Sequence, residues 1–311
     1  MVRKEELTFL SRDNETKVCA TRWIPEGKIE GIIQIVHGMA EHIDRYDDFA
    51  RYMAERGYVV SGEDHLGHGK TAAFGRKGFF CKQDPATVVV RDVHRLKKLN
   101  QEAYPGVPVM ILGHSMGSFI TRNYLFKYGT GIQGAILSGT GSQPGALIKV
   151  SLFLTGIQSL ILGQEHPGHF LNHLAFGGYQ KKIKNPRSEF DWLSRKNEIV
   201  DQYLMDENCG FLFTVNGFKT LFTLIDRLNR KKNLMQMPKD LPVLFLAGKE
   251  DPVGNYGKGV EKAYGQFLDL GMKQVGMKLY PGMRHEILNE IGNEEVYADI
   301  LEFVKKIAKR D

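Results

Sequence analysis

A serine stands between two glycines in Gly113-His114-Ser115-Met116-Gly117. The apolar run Val109-Met110-Ile111-Leu112 precedes it, and a helix-like stretch from Ser118 to Tyr128 follows and closes on Gly129. Strand, Gly-x-Ser-x-Gly and helix in that order predict a nucleophile elbow, a turn sharp enough to hold the hydroxyl clear of the sheet. The flanking glycines lack a Cβ, so strand and helix can approach closely while the serine backbone is strained. The chemistry this predicts is covalent catalysis by Ser115.

A serine hydroxyl is a weak nucleophile near neutral pH. It needs a base to take its proton, and the base needs an orienting carboxylate. For an elbow serine the chain order is Ser, then Asp or Glu, then His. Gly248-Lys249-Glu250-Asp251-Pro252 follows one predicted strand, and Tyr280-Pro281-Gly282-Met283-Arg284-His285 follows the last. Both segments fall at the carboxyl ends of strands, where open α/β sheets bind their ligands. Asp251 is the expected acid, because Pro252 biases it into an extended turn; Glu250 is the alternative. His285 is the expected base. His166, His169 and His173 are alternatives, but none follows a core strand. The oxyanion of acyl transfer needs two backbone N–H donors. Met116, after the nucleophile, is one. Met39, in the loop His37-Gly38-Met39-Ala40-Glu41-His42 after an early strand, is the other. His37 and His42 have no third ligand at useful spacing, so no metal is expected and no cofactor is needed. Asp64-His65-Leu66-Gly67-His68-Gly69 reads as a structural turn.

These residues must be positioned by alternating elements. Gly31–Val36 is a β-branched run. Tyr46, Phe49, Ala50 and Met53 then mark one face of a helix that Gly57 ends. Tyr58-Val59-Val60 begins a strand, and Asp84-Pro85 starts a helix with the apolar face Val89, Val93 and Leu96. Val107–Leu112 and Ala135–Leu137 are further strands. The alternation predicts an α/β protein whose mostly parallel sheet is covered on both faces by helices. It stops near Gly141 and resumes with strands at Val243–Ala247 and Val275–Tyr280. A closing helix carries Val296, Ile300, Phe303, Val304 and Ile307. The expected organisation is a core of residues 1–140 and 239–311 with an inserted helical lid at 141–238. The lid opens with an apolar stretch, Ala146 to Leu162, too short and too interrupted for a membrane span and expected to be an amphipathic helix or pair.

With 311 residues, 42% of them apolar and 25% charged, the chain has the balance of a globular enzyme with one large domain or a core plus an insertion. Cys19, Cys81 and Cys209 are odd in number and far apart, which fits neither a disulfide framework nor metal spacing. The first residues lack the apolar core of a secretory signal, so a reducing cytoplasm is expected. The net charge is +6, with basic runs at 181–184 and 227–232. No aromatics are interleaved with them, which argues against nucleic acid. They read as a solvated face or, with the apolar lid stretch, as attraction to an anionic membrane surface.

Taken together, His-Gly-x-x-Glu-His at 37–42, Asp-x-x-Gly-His-Gly at 64–69, Gly-His-Ser-Met-Gly, Asp251-Pro252 and His285 resemble the α/β-hydrolase fold family. Within it they resemble the monoacylglycerol lipase and lysophospholipase group of serine aminopeptidase-like hydrolases. Asp191-Trp192-Leu193-Ser194-Arg195 and Asn208-Cys209-Gly210-Phe211 are similar to bacterial members. The resemblance implies a lid that forms an acyl tunnel and touches membrane. It implies that Glu41 and Arg45 hold a glycerol head group, with a histidine three residues after the catalytic one. That position is Leu288 here, which leaves lysophospholipids and simple esters open beside monoglycerides. It further implies that Cys209 lines the pocket, though the residue alone reads more readily as a buried lid cysteine. The expected activity is hydrolysis of single-chain lipid esters through an acyl-enzyme. Carboxylesterase, thioesterase, acyltransferase or amidase chemistry on the same residues is the alternative, and a ligand receptor on a hydrolase fold is a third.

Overall fold

The structure, a computed structural model, describes residues 2–309. Eight strands form one sheet in the order β1-β2-β4-β3-β5-β6-β7-β8. These are β1 (Arg3–Leu10), β2 (Lys17–Ile24), β3 (Gly31–Val36), β4 (Tyr58–Glu63), β5 (Val109–His114), β6 (Gly134–Ser138), β7 (Val243–Gly248) and β8 (Val275–Tyr280). From β4 to β8 in that order every pairing is parallel. β3, β4, β5 and β6 are buried along their whole length, as strands covered on both faces must be. The chain begins with two strands that the apolar pattern does not mark. β1 and β2 pair antiparallel, Arg3 opposite Ile24 through Leu10 opposite Lys17, and β2 pairs antiparallel with β4. β1 is an edge strand with mostly exposed, charged residues, so it carries little apolar signal.

Among the described residues ten α-helices accompany the sheet: α1 (Asp47–Ala54), α2 (Pro85–Ala103), α3 (Met116–Tyr128), α4 (Gly145–Leu162), α5 (His169–Phe176), α6 (Asn197–Met205), α7 (Val215–Leu228), α8 (Lys231–Leu234), α9 (Lys258–Asp269) and α10 (Asn293–Ala308). α2, α3 and α9 bury Val89, Val93, Ile120, Val260 and Phe267 in one core with one face of the sheet. α1 and α10 bury Phe49, Met53, Ile300 and Val304 in a second core on the other face. Helices therefore cover both faces, and the α/β-hydrolase architecture is present.

α4 to α8 all lie between β6 and β7. The stretch expected as an amphipathic helix or pair is the single helix α4, eighteen residues long with a mean hydropathy of 1.7. Its uncharged polar residues Ser151, Thr155, Gln158 and Ser159 lie on one side, which includes the buried Ser151 and Thr155, and its large apolar residues mostly face out. Only Ile148, Ser151 and Thr155 are buried, whereas Leu160 is 88% and Phe153 69% exposed. By length and composition alone it could cross a membrane. α7 packs beneath α4 and into the first core, with Phe218, Leu221 and Leu224 buried. Its N-cap is Thr214, whose hydroxyl accepts a hydrogen bond from the Gly217 amide at 3.2 Å.

Candidate active site

β5 ends at His114 and α3 begins at Met116, so Ser115 alone makes the turn. Its backbone sits at φ 52°, ψ −121°. A non-glycine residue there is strained by about 1–3 kcal/mol and persists only when its surroundings over-determine it. They do so here. The Ser115 amide donates to Ser138 O on β6 (3.0 Å), and its carbonyl accepts from the Ser118 amide (2.9 Å) and hydroxyl (2.6 Å). The two glycines are required by space. A Cβ on Gly117 would lie 1.9 Å from Val36 O at the end of β3, and one on Gly113 would lie 2.3 Å from Thr121 Oγ1. The amide of Met116 opens α3, at the positive end of the helix dipole.

Asp251 follows β7, and His285 lies beyond β8. His285 Nδ1 and Asp251 Oδ2 are 3.0 Å apart, and both side chains are buried. The other carboxylate oxygen accepts from the Val253 amide at 2.8 Å, which fixes its orientation. A carboxylate only accepts, so Nδ1 carries the proton and Nε2 is left as the basic nitrogen. Burial by itself would depress the His285 pKa. The charge and hydrogen bond of Asp251, with the charges of Glu286 and Glu41, outweigh burial and raise it above the ordinary value. Glu250 is exposed, and the structure pairs His285 with Asp251 instead. His166, His169 and His173 are also exposed, with His169 and His173 at the wall of the cavity described below.

A segment between α5 and α6 fastens the histidine loop. The Glu286 amide donates to Leu193 O at 2.8 Å, and Arg284 donates to Asp191 O (2.6 Å) and Ser194 O (3.0 Å). Arg195 Nε pairs with buried Glu290 at 2.9 Å. The Trp192 ring packs against the His285 ring, their centres 5.1 Å apart. Sequence reasoning noted residues 191–195 only as a likeness and assigned them no task. Their function is visible only through contacts made about 90 residues away.

The loop after β3 lies against the serine. A Cβ on Gly38 would be 3.1 Å from Ser115 Cβ. The Gly38 amide is taken by Glu41 Oε1 at 2.5 Å, so the next donor in the turn is the Met39 amide. Glu41 also accepts from Tyr46 OH (2.8 Å) and Arg45 (2.9 Å). Arg45 then forks onto both oxygens of Glu286, at 2.6 and 2.7 Å. Burial raises the Glu41 pKa against the pull of Arg45. At Glu286 the guanidinium outweighs burial and holds the carboxyl down at about 2. Beneath this loop three buried histidines pack together at tilted angles: the His37 ring centre is 4.0 Å from that of His65 and 5.2 Å from that of His68. His37 Nε2 accepts from the His65 amide at 3.1 Å. Burial lowers His65 to about 3 and His68 to about 4, so both are neutral packing groups. The 64–69 segment is more than a turn: it is the support of the Met39 loop.

A cavity of about 1060 Å³ opens over these groups. Gly38, Met39, Ser115, Met116, His285, Glu41 and Glu286 line its floor. Phe119, Leu147, Ile148, Phe176, Leu221 and Ile225 supply apolar wall, most of it from helices inserted between β6 and β7. Of the four residues expected to touch substrate, Glu41 alone lines the cavity. Arg45 lies behind Glu41 and Glu286, tied to both. Cys209 is buried behind the wall with Leu193 and Tyr203. Leu288 is buried in the core between α1, α10 and the sheet. Shape corrects these three expectations, because a chain position near the site does not fix which way a side chain points.

The Serine aminopeptidase, S33 family model matches residues 27–292. A monoglyceride lipase of Homo sapiens is 38% identical over 280 residues, covering 86% of this chain and 80% of that relative. A monoacylglycerol lipase of Mycolicibacterium smegmatis is 26% identical over 286 residues, covering 91% and 90%. Among solved structures, a thermostable carboxyl esterase from Bacillus coagulans, in complex with glycerol, superposes with a TM-score of 0.92 at 32% identity, covering 99% of this chain and all of that one. A soluble variant of the Saccharomyces cerevisiae monoglyceride lipase shares the fold at a TM-score of 0.76 and 19% identity, covering 98% and 95%.

The strain at Ser115 predicts a measurable asymmetry. Ser115→Gly relieves the positive φ and Ser115→Ala keeps it. In denaturant unfolding the glycine variant should be the more stable of the two, by about 1 kcal/mol of unfolding free energy. Equal stabilities would show that the strain at the elbow is no larger than the ~0.4–1 kcal/mol that glycine costs through the unfolded chain.

Proposed function

The chain belongs to the serine aminopeptidase-like family of α/β hydrolases, and from that premise we propose that it hydrolyses carboxylic esters of single-chain lipids, monoacylglycerol foremost. One observation carries the reading: Ser115, the Met39 turn and His285, itself paired with Asp251, all border one cavity with apolar walls. In this mechanism His285 Nε2 takes the Ser115 proton as the hydroxyl oxygen attacks the ester carbonyl. Asp251 holds the imidazole in the required tautomer and stabilises the imidazolium. The Met39 and Met116 amides receive the developing oxyanion. His285 then protonates the leaving alcohol. The acyl-enzyme is opened by water, activated by the same histidine.

The substrate class is argued from chemistry and kinship. An apolar wall accepts an acyl chain, and the cavity stands at the upper end of the ~300–1,000 Å³ usual for small-molecule sites. Relatives named for monoglyceride hydrolysis favour glycerol as the head group. Leu288 is packed in the core, so head-group selection falls to the floor carboxylates Glu41 and Glu286. The helices of residues 141–238 act as a lid over the core. The protein is proposed to work in the cytoplasm and to touch a membrane surface through α4, whose Val150, Phe153, Leu160 and Ile161 are exposed.

Ser115→Ala should lose fluorophosphonate labelling and at least ~10³-fold of ester kcat, while wild-type enzyme prefers monoacylglycerols to lysophospholipids, acyl-thioesters and peptide amides. Preference for amides or thioesters would displace the lipid-ester reading, and retained activity in the variant would remove Ser115 from it. The base must be neutral to act, so kcat/KM should rise with pH through the raised His285 pKa, with an acid limb above pH ~6.5. Asp251→Asn should cut kcat by about 10⁴ and move that limb to lower pH; an unmoved limb would separate His285 from Asp251. Phe153→Asp with Leu160→Asp should abolish flotation with anionic vesicles at low salt, and unchanged flotation would take α4 out of membrane contact.

A further inference from the structure

We propose that His42, Asp206 and Cys209 form a site for a divalent cation of the zinc class, at the junction between the Met39 loop and the turn after α6. The three residues offer one ring nitrogen, one carboxylate oxygen and one thiol sulfur, all within 4.8 Å of one another. Ligands 2.0–2.3 Å from a tetrahedral ion lie roughly 3–4 Å apart, so closing around an ion requires movements of about 1 Å. His42 Nε2 and Asp206 Oδ2 are already 2.7 Å apart. Asp206 Oδ1 accepts from the Asn208 amide at 2.8 Å, which leaves Oδ2 aimed at the group.

The donor set selects the ion. Nitrogen, sulfur and one oxygen suit Zn²⁺ or Co²⁺, whereas Mg²⁺ and Ca²⁺ call for oxygens throughout. Three protein ligands leave a fourth position for water. The surroundings are net negative: Asp206, Glu41 and Glu286 stand against the single cation Arg45, all close enough to act on Cys209. On binding, the Cys209 S–H bond breaks, a sulfur–metal bond forms and the proton leaves to solvent. The Nε2 proton of His42 also leaves, and Nδ1 takes one up, so no oxidant or reductant is involved. Access is from one side, since the His42 and Asp206 side chains are 14% and 33% exposed while the thiol is buried.

The place gives the ion a structural effect. Ala40 O already accepts from the Gly210 amide and from Tyr203 OH, both at 3.0 Å. A bound ion adds a third tie between the Met39 loop and residues 206–210. None of this depends on which ester the enzyme cleaves. Periodicity and spacing could not reveal the site, because His42 and Asp206 are 164 residues apart.

Cobalt titration of the full folded chain, first treated with chelator, tests the site. Wild type should develop a thiolate-to-cobalt charge-transfer band and tetrahedral d–d bands that saturate at one ion and are displaced by Zn²⁺. Cys209→Ser should lack the charge-transfer band, and Asp206→Asn should bind Co²⁺ about tenfold or more weakly. Zn²⁺ should raise the thermal midpoint of wild type but not of His42→Asn. No thiolate band in wild type overturns the proposal. So does an equal band in Cys209→Ser, which would move the ligand to Cys19 or Cys81. If Cys209→Ser does not fold, Asp206→Asn, altered at a part-exposed carboxylate, decides: unchanged cobalt affinity there overturns the site.

Discussion

The contact between Gly117 and the end of β3 governs this molecule. With 1.9 Å between Val36 O and the place a Cβ would occupy, only glycine lets α3 start where it does. That close approach bends the chain at Ser115 into a positive φ. It also brings the Gly38–Met39 turn, which continues from Val36, against the serine. The proposed nucleophile and the proposed oxyanion donors thus share one cause. The same constraint places the amide of Met116 at the first turn of a helix. The local cost is a few kcal/mol of strain, carried by sheet pairing on both sides of β5.

Around that point the structure solves a second problem, which is to hold three loops in register. Arg45 does so from behind the cavity floor, joining Glu41 on the Met39 loop to Glu286 beside His285. Residues 191–195 do so from above, through main-chain and arginine hydrogen bonds to the 284–290 loop. Tyr203 and Gly210 hold Ala40. The helical insertion is therefore part of the machinery that positions the histidine and the Met39 loop, in addition to supplying apolar wall. A buried arginine between two acids also explains why Glu286 stays ionised next to the proposed base His285.

Much of the fold was legible because parallel strands buried on both faces read as continuous apolar runs. β3 and β8 fall on the expected residues, and β5 to β7 differ by a residue or two at their ends. β1 and β2 were not legible: β1 lies on the edge with most positions facing water, and β2, though paired on both sides and largely buried, mixes Lys17, Thr21 and Arg22 into its short run. α9 was not read either. In α4 the apolar stretch was readable, but not that it forms one helix rather than two, nor its exposure, since an apolar run looks the same on a surface as in a core. Among the site residues, Asp251 was separable from Glu250 by its proline alone, and the structure pairs Asp251 with His285.

The sequence by itself determined the order of elements, the elbow and the strand-end positions of Asp251 and His285, because these follow from local rules: steric freedom at glycine, the proline bias and strand periodicity. Tertiary structure alone decided which side chains face the cavity. It buried Leu288 in the core, put Cys209 behind the wall and turned Arg45 into a tie between two acids. It also brought His42 to Asp206 and Cys209. Such choices depend on packing between segments far apart in the chain, where burial and hydrogen bonding are settled by the whole fold rather than by neighbours in sequence.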